Sequence, residues 1–262
     1  MSKKQIALVV LLLGITTHSS FGENVTFKSS SESGKLITLT GVLKKPEGNG
    51  PFPAVVLLHG CGGFEDSKNR SEAWSERLLS WGYVTLIVDS FGPRGVSSIC
   101  NDTMQILHFF RVRAQDSYDG KDFLTKLPYV DGRRIALMGW SHGGGVVLKA
   151  LNKWLEFEKK NAPFKAGIAF YPYCNMLKDK DAPLLILIGE LDDWTHADLC
   201  TEKMPSGKTE HEIILKIYSE AYRQFDWEGK GEIYEGHRLL YDPKAASDAI
   251  VQVKDFLTKY LM

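Results

Sequence analysis

The sequence has no excess of charge of either sign. Its 262 residues carry 32 basic (Lys and Arg) and 32 acidic (Asp and Glu) side chains, which gives a formal net charge of zero. Proteins that bind nucleic acid neutralise phosphates with surplus Lys and Arg, so no nucleic-acid partner is expected. With 44% hydrophobic and 24% charged residues the chain can bury a core, and this composition predicts one globular domain rather than a disordered or fibrous protein.

Cysteine is also scarce. The four cysteines (Cys61, Cys100, Cys174 and Cys200) are too few for a disulfide scaffold at this length, and no two have the CxxC spacing of a zinc ribbon or a redox motif. The sequence also has no lysine-containing glycine loop that would hold a phosphate, and no cluster of residues with metal-ligand spacing. It therefore predicts neither a metal nor a cofactor.

Residues 1–22 have the features of a cleaved secretory signal. Lys3 and Lys4 precede an apolar run over residues 6–15 that is too short to span a bilayer, and Ser20 and Gly22 supply small residues three and one positions before a possible cut. A frayed N-terminal helix is the alternative, but the order of charged, apolar and small segments favours the signal. The mature protein, residues 23–262, is then expected to leave the membrane and to be periplasmic or secreted, where cysteines can pair.

Short apolar runs alternate with longer amphipathic segments, a pattern typical of βαβ units around a parallel sheet. Continuous Val, Ile and Leu runs indicate strands covered on both faces. Strands are predicted at 36–43 (an antiparallel edge strand), 54–58, 84–88, 135–138, 166–170, 184–188 and 213–218. Helices are predicted at 71–81, 101–127, 143–160, 197–204 and 245–261. No repeat or linker indicates a second domain.

The strongest chemical motif is GxSxG at residues 139–143, read as GWSHG. It follows the predicted strand 135–138 and opens the predicted helix 143–160, the context that a nucleophile elbow requires. Such a turn forces its serine into a strained conformation with the hydroxyl exposed. A glycine-rich turn that merely closes a βα unit is the alternative, but this context favours Ser141 as a nucleophile.

The segment after strand 54–58 offers backbone N–H groups to a developing oxyanion. Residues 59–63 read HGCGG, and an acyl-transfer enzyme needs such donors because charge develops on the carbonyl oxygen in the transition state. The N–H groups of Cys61 and His142 are the predicted oxyanion pair. The side chain of His59 is interpreted as structural.

An acidic loop follows the buried strand 184–188. Residues 189–195 read GELDDWT, and a carboxylate at the carboxyl end of a strand can orient a catalytic histidine. Asp192 is preferred as the acid over Asp193 and Glu190, and a solvated position suits Glu190 best.

These motifs resemble those of the dienelactone hydrolase family of α/β hydrolases. The resemblance runs from about residue 36 to residue 257. It rests on the segments 58–63 (LHGCGG), 89–95 (DSFGPRG), 139–144 (GWSHGG), 170–172 (FYP), 189–195 (GELDDWT) and 241–243 (YDP), with Ala245 and Ala246. It implies the α/β-hydrolase fold, with a mostly parallel eight-stranded sheet flanked by helices, and hydrolysis of a small ester or lactone by a triad of nucleophile, acid and histidine.

Two positions depart from the family pattern. The founding members use cysteine where this chain has Ser141, as many esterase-like relatives do, which argues against dienelactone itself as the substrate. Family members carry the catalytic histidine in a segment like YPGAYHGFD, whereas residues 218–226 here read YSEAYRQFD. Arg223 thus occupies the histidine position. Arginine stays protonated and cannot accept the serine proton, so a bidentate ion pair with Asp192 is its expected role.

No other histidine is a convincing base. His237 follows Arg223 closely enough in sequence to be kept as a candidate, although relatives with an intact triad can carry a similar Gly-His, which favours a structural role. His142 is tied to the elbow. The remaining histidines of the mature chain lie in no catalytic motif: His108, His196 and His211.

Two functional hypotheses follow, and Arg223 separates them. In the first, the protein is a serine hydrolase in which Ser141 attacks a small ester or lactone and Asp192 orients a base that is not assigned. In the second, it is a weakened or inactive homologue that binds a small carbonyl or carboxylate ligand, with Arg223 as the anion contact. A structural or adhesive module has no positive signal in the sequence.

The resemblance also bears on the cysteines. In the strand order that it implies, strands 166–170 and 184–188 are neighbours, so Cys174 and Cys200 lie in adjacent loops and are predicted to form a disulfide. Cys61 and Cys100 also follow neighbouring strands, but a bond there would restrain an oxyanion residue, and their pairing is left open.

Overall fold

A computed structural model describes residues 22–30, 36–153, 162–229 and 231–262. The predicted signal peptide, apart from Gly22, and residues 154–160 of the predicted helix 143–160 lie outside the described residues.

The seven predicted strands and one further segment, β1, form one eight-stranded sheet, in the order β1-β2-β4-β3-β5-β6-β7-β8. The strands are β1 (Glu23–Ser30), β2 (Leu36–Lys44), β3 (Phe52–Leu58), β4 (Val84–Asp89), β5 (Val130–Trp140), β6 (Ala166–Phe170), β7 (Leu184–Gly189) and β8 (Ile213–Tyr218). β2 pairs antiparallel with β1 and β4, and the remaining neighbours are parallel. Every residue of β6 and β7 is buried, as expected for strands covered on both faces.

The prediction that β2 is the edge strand is wrong. β1 covers its outer side with a continuous antiparallel register from Glu23 opposite Leu43 to Ser30 opposite Leu36. Only alternate residues of β1 are buried, so this segment has no continuous apolar run. Its alternating pattern, next to a serine-rich stretch, explains why the sequence did not reveal it.

Five α-helices flank the sheet in the described residues: α1 (Gly63–Ser80), α2 (Thr103–Thr125), α3 (His142–Ala150), α4 (Ala197–Glu202) and α5 (Pro243–Leu261). α2 begins where Asp102 accepts a hydrogen bond from the Gln105 amide at 3.0 Å, and α2 is continuous. α5 begins at Pro243, where Asp242 accepts from the amides of Lys244 and Ala245. The predicted start of this helix at residue 71 was eight residues too late. Polar side chains in the first turns of α1 conceal the apolar periodicity on which the prediction depended.

A short hairpin was not predicted. β9 (Glu232–Tyr234) pairs antiparallel with β10 (His237–Leu239). The hairpin is tied to the segment after β8, because the Leu240 amide donates to the Arg223 carbonyl at 3.0 Å. Its three-residue strands are too short and too exposed to give a hydrophobic signal.

Two disulfides link the loops at the carboxyl edge of the sheet. Cys174 is bonded to Cys200, as predicted, and Cys61 is bonded to Cys100, the pair that the sequence left open. The second bond lies in a small apolar cluster, separate from the main core, that also contains Phe91. No helix in the described part of the chain has the length and apolar character needed to cross a membrane.

Candidate active site

Ser141 lies at a tight turn between β5 and α3. Its backbone has φ 57° and ψ −118°, a left-handed conformation that costs free energy in a non-glycine residue and is typical of a nucleophile elbow. The flanking glycines are required sterically. A Cβ at Gly139 would clash with the backbone of Gly143, and a Cβ at Gly143 would lie 2.5 Å from the carbonyl oxygen of Leu58. The sequence motif therefore has the backbone geometry that it predicted.

The predicted oxyanion residues lie on both sides of this turn. His142 is the first residue of α3, and Cys61 follows β3, which is hydrogen-bonded to β5 along the sheet. A Cβ built on Gly60 would lie 3.7 Å from the Cβ of Ser141, so the loop after β3 runs directly beside the elbow. Sheet pairing thus brings together two segments that are about eighty residues apart in sequence.

Arg223 joins Ser141 to Asp192. Its Nη2 donates to Ser141 Oγ at 2.5 Å. Its Nη1 lies 3.2 Å from Asp192 Oδ1 and 3.0 Å from Oδ2, and donates to Thr195 Oγ1 at 2.6 Å. The ion pair with Asp192 is present, but it differs from the predicted two-nitrogen fork, because one nitrogen contacts the carboxylate and the other contacts the serine.

Asp192 is the carboxylate that faces this cluster. It is buried and accepts hydrogen bonds from the amides of Trp194 at 3.0 Å and Thr195 at 2.9 Å. The Thr195 hydroxyl also donates to Oδ2 at 3.0 Å. With the donors of Arg223, these bonds satisfy a carboxylate that would otherwise be costly to bury.

The other two acidic residues of the loop point elsewhere. Asp193 is exposed and accepts from the Arg238 amide at 3.4 Å. Glu190 is also exposed and accepts from the Glu220 amide at 3.3 Å. Their positions agree with the preference for Asp192 among the three.

Two aromatic rings enclose the Arg223 guanidinium. Its central carbon lies 5.1 Å from the ring centre of Tyr171 and 4.9 Å from that of Trp194, within the range of cation–π attraction. The Tyr171 hydroxyl accepts from Arg70 at 2.6 Å and donates to Asp226 at 2.9 Å. Burial raises the pKa of Tyr171, which keeps that hydroxyl protonated. The arginine therefore occupies a pocket whose polar and aromatic groups fit a guanidinium.

His237 does not replace the base in this structure. Its Nδ1 lies 3.3 Å from Asp193 Oδ1, and its ring stacks on Trp194 with centres 4.5 Å apart. Within the described residues its contacts are with the outer acidic loop, and none is with Ser141. The structural interpretation of this side chain agrees with its position.

The His142 side chain packs against α2, and its ring nitrogens contact residues of that helix. Its Nε2 donates to the Ile106 carbonyl at 2.9 Å, and its Nδ1 accepts from Arg113 Nη1 at 2.7 Å. Burial, and then the charge of Arg113, lower the pKa of His142 to about 3. The ring is therefore neutral at ordinary pH, and both of its nitrogens are occupied.

His59 is also fully buried and structural. Its Nδ1 donates to the Gly60 carbonyl at 2.8 Å, while its Nε2 accepts from the Ser90 amide at 3.4 Å. Burial, followed by the charge of Arg113, lowers the pKa of His59 well below its ordinary value.

Sequence reasoning missed three of these contacts. Tyr171, Trp194 and Thr195 belong to the segments FYP and GELDDWT, which carried the family resemblance without a role for each residue. Only the adjacency of β6 and β7 brings them together around Arg223. No group of His, Cys, Asp and Glu that could hold a metal ion was found in the residues that the structure covers.

Comparison with known proteins gives partial matches among curated sequences. Over 142 residues the chain is 30% identical to a probable dipeptidyl-aminopeptidase B of Talaromyces stipitatus, a match that covers 52% of this chain and 15% of that protein. It is 28% identical over 116 residues to the esterase FrsA of Escherichia fergusonii, covering 42% of this chain and 24% of that protein. The match thus spans less than a quarter of the length of either relative.

Solved structures share the fold over nearly the whole chain. A dienelactone hydrolase-like promiscuous phosphotriesterase from metagenomic libraries aligns with a TM-score of 0.69 and 19% identity, covering 93% of this chain and all of that one. A dienelactone hydrolase from Anabaena variabilis aligns with a TM-score of 0.65 and 21% identity, covering 94% of this chain and all of that one. At these identities the likeness establishes the fold alone.

The family match covers more of the chain than either of the two curated relatives described above. The sequence profile of the dienelactone hydrolase family matches residues 39–261, from β2 to the end of α5. The sheet order, the elbow and the loop beside it lie within that range. The chain therefore belongs to the dienelactone hydrolase family of α/β hydrolases.

Proposed function

We propose that this protein is a serine hydrolase that acts slowly on a small ester or lactone through Ser141. One observation carries the proposal: Ser141 keeps the strained elbow conformation, and its Oγ is hydrogen-bonded to a group that is itself paired with the buried Asp192. Ser141, Arg223 and Asp192 thus contact one another in the order in which the nucleophile, the histidine and the acid of a triad do. The difference is that the central residue is an arginine.

The reaction assigns a role to each group. Ser141 Oγ attacks the substrate carbonyl, and the amides of Cys61 and His142 donate to the oxyanion that develops. Each such donor contributes about 3 to 4 kcal/mol to transition-state stabilisation. Asp192 balances the charge of Arg223 in a buried site, where an unpaired guanidinium would be costly.

Proton transfer is the limiting step. Attack requires an acceptor for the serine proton, and a guanidinium has no free lone pair at accessible pH. The Nη2 donor of Arg223 also occupies one lone pair of Oγ. The proton must therefore pass to water or hydroxide, and the rate is expected to lie about 10⁴ to 10⁶ below that of an intact triad.

The Nη2–Oγ hydrogen bond also favours a second function, in which the site binds a ligand and does not turn it over. In that case Arg223 and the two amides would hold a small carbonyl or carboxylate group beside Ser141. The two functions share a pocket and differ in whether Ser141 forms a covalent bond.

The test measures ester turnover and covalent labelling of Ser141. Purified wild-type protein and Ser141→Ala are assayed with p-nitrophenyl acetate and treated with a fluorophosphonate probe, and the labelled peptide is identified by mass spectrometry. The proposal expects slow hydrolysis and slow labelling, both lost in Ser141→Ala. If neither protein turns over ester and Ser141 stays unlabelled, the hydrolase assignment fails.

We also propose that the protein works in the periplasm or is secreted, after removal of residues 1–22. Disulfides form and persist in oxidising compartments, and all four cysteines are paired.

A further inference from the structure

One face of α2 holds the His142 side chain. Ile106, Phe110 and Arg113 lie four and three residues apart, the spacing that places side chains on one side of a helix. Ile106 accepts from His142 Nε2 through its carbonyl, and Phe110 stacks on the imidazole with centres 4.2 Å apart and planes 9° apart. Arg113 donates to Nδ1 at 2.7 Å. The ring is fixed on both edges and one face.

Arg113 has a second contact on the other side of the site. Its Nη2 donates to the His59 carbonyl at 2.6 Å, in the loop that leads two residues later to Cys61. The Arg113 side chain is fully buried, and its guanidinium lies 5.1 Å from the ring centre of Phe91. One guanidinium therefore bridges the two segments that carry the predicted oxyanion amides.

We infer that Arg113 is a positioning residue that holds the Cys61 loop and His142 at the correct separation for an oxyanion. The inference rests on the proposed function, because an oxyanion hole acts only if Ser141 attacks a carbonyl. Two rigid nitrogens on one planar group suit this role, since each reaches a different acceptor. A lysine ammonium on a flexible stem would not fix two acceptors in the same way.

The test compares the hydrolysis of an ester with that of the matching thionoester, in which sulfur replaces the carbonyl oxygen. Sulfur is a poorer hydrogen-bond acceptor than oxygen, so a thionoester gains less than the matching ester from a correctly placed oxyanion hole. Both substrates are measured in an Arg223→His background, with Arg113→Met and Arg113→Lys as variants. Tyr118→Phe is the matched control, because Tyr118 also links α2 to α3, by donating to Ala150 at the far end of α3.

We expect Arg113→Met to lower kcat/KM for the ester about tenfold or more, through kcat rather than KM. The thionoester should lose less than threefold, so the ester-to-thionoester rate ratio falls. Arg113→Lys should also lower the ester-to-thionoester rate ratio, and it replaces Arg113→Met in the experiment if the Met variant does not fold. Tyr118→Phe should leave the ratio unchanged. A general loss of packing would slow both substrates equally.

Nuclear magnetic resonance of ¹⁵N-histidine labelled protein detects the loss of the Arg113–His142 contact independently of enzyme activity. Loss of the Arg113 donor should move the His142 Nδ1 resonance, whether or not the enzyme is active. If neither the wild type nor the Arg223→His background shows Ser141-dependent turnover, the proposed function fails. If turnover is present and the rate ratio is the same in both Arg113 variants and in the parent, Arg113 has no positioning role and the inference alone is overturned.

Discussion

Nη2 of Arg223 and Oγ of Ser141 are 2.5 Å apart, so the group in the position of the family's catalytic base donates a hydrogen bond to the proposed nucleophile instead of accepting one. The direction of this bond is the reverse of what general-base catalysis requires. The surrounding groups nonetheless hold the arginine firmly, through Asp192 and Thr195 at one nitrogen and aromatic rings on its faces.

Arg223→His should raise ester hydrolysis. An imidazole between Asp192 and Ser141 supplies the missing proton acceptor, and we expect kcat/KM for p-nitrophenyl acetate to rise at least about tenfold, equivalent to about 1.4 kcal/mol of transition-state stabilisation. The pH profile should gain a sigmoidal step near the histidine pKa, whereas the wild-type rate should keep rising with hydroxide concentration. Ser141→Ala in the same background is the control. A variant that folds but is no faster than wild type would contradict the assignment of position 223.

His237→Ala should leave ester hydrolysis within about threefold of its parent, both in the wild type and in Arg223→His, because His237 contacts Asp193 and Trp194 rather than Ser141. Initial rates of the two pairs of proteins check this expectation. If the wild type instead hydrolyses esters at ordinary rates, and His237→Ala abolishes them while Arg223→His has no effect, His237 is the base.

The two disulfides should have similar effects on stability and different effects on activity. Their sequence separations are 39 and 26, so each is expected to contribute about 3 to 4 kcal/mol by restricting the unfolded chain. Only Cys61 belongs to the loop beside Ser141. Cys61→Ser/Cys100→Ser should therefore reduce kcat of the Arg223→His enzyme, whereas Cys174→Ser/Cys200→Ser should not, when both are assayed well below their melting temperatures. Equal losses of kcat would show that the Cys61–Cys100 bond has no special relation to the site.

The two buried histidines should make stability fall as the pH is lowered. Below pH 6.5 the unfolded chain binds a proton at His59 and at His142, while the folded protein does not, because burial lowers both folded pKa values, that of His142 to about 3. Each histidine then contributes a slope of about 1.4 kcal/mol per pH unit to the free energy of unfolding, until the pH reaches its folded pKa. Urea unfolding between pH 5 and 6 measures this slope.

The variant that tests this prediction is His142→Gln. It removes a buried imidazole and should reduce the slope by about one proton. The prediction is wrong if the slope is the same in the variant and in the wild type.

Export from a bacterial host should yield protein that begins at or near Glu23. The charged start, apolar run and small residues before that position are the basis of this expectation. Intact mass spectrometry of the exported fraction measures it, and a mass that corresponds to residues 1–262 would refute the signal peptide.

The parallel part of the fold could be predicted because its strands are continuous apolar runs. Strands β6 and β8 begin and end at the predicted residues, and β7 extends one residue further. β1 was missed because alternate burial on a polar segment leaves only a weak pattern. The hairpin of β9 and β10 was missed because it depends on hydrogen bonds to the segment after β8, which no local pattern encodes.

The sequence indicates which loops carry the candidate site residues, but it does not indicate the contacts between their side chains. Ser141 and Asp192 lie in motifs that follow strands, so their proximity follows from the order of the sheet. The aromatic partners of Arg223 and the bridging contacts of Arg113 could not be predicted in this way. They depend on how three loops and one face of α2 pack in three dimensions.

The pairing of Arg223 with Asp192 has an electrostatic consequence for the proposed reaction. In a triad with histidine, a cation beside the carboxylate exists only briefly, after the imidazole has taken up the serine proton. Here a guanidinium takes that place at rest, and it contacts the Ser141 oxygen directly. The resting protein thus already has the cation that a histidine triad acquires only after its serine is deprotonated, and in the proposed reaction a negatively charged tetrahedral adduct would form beside a cation that is already in place.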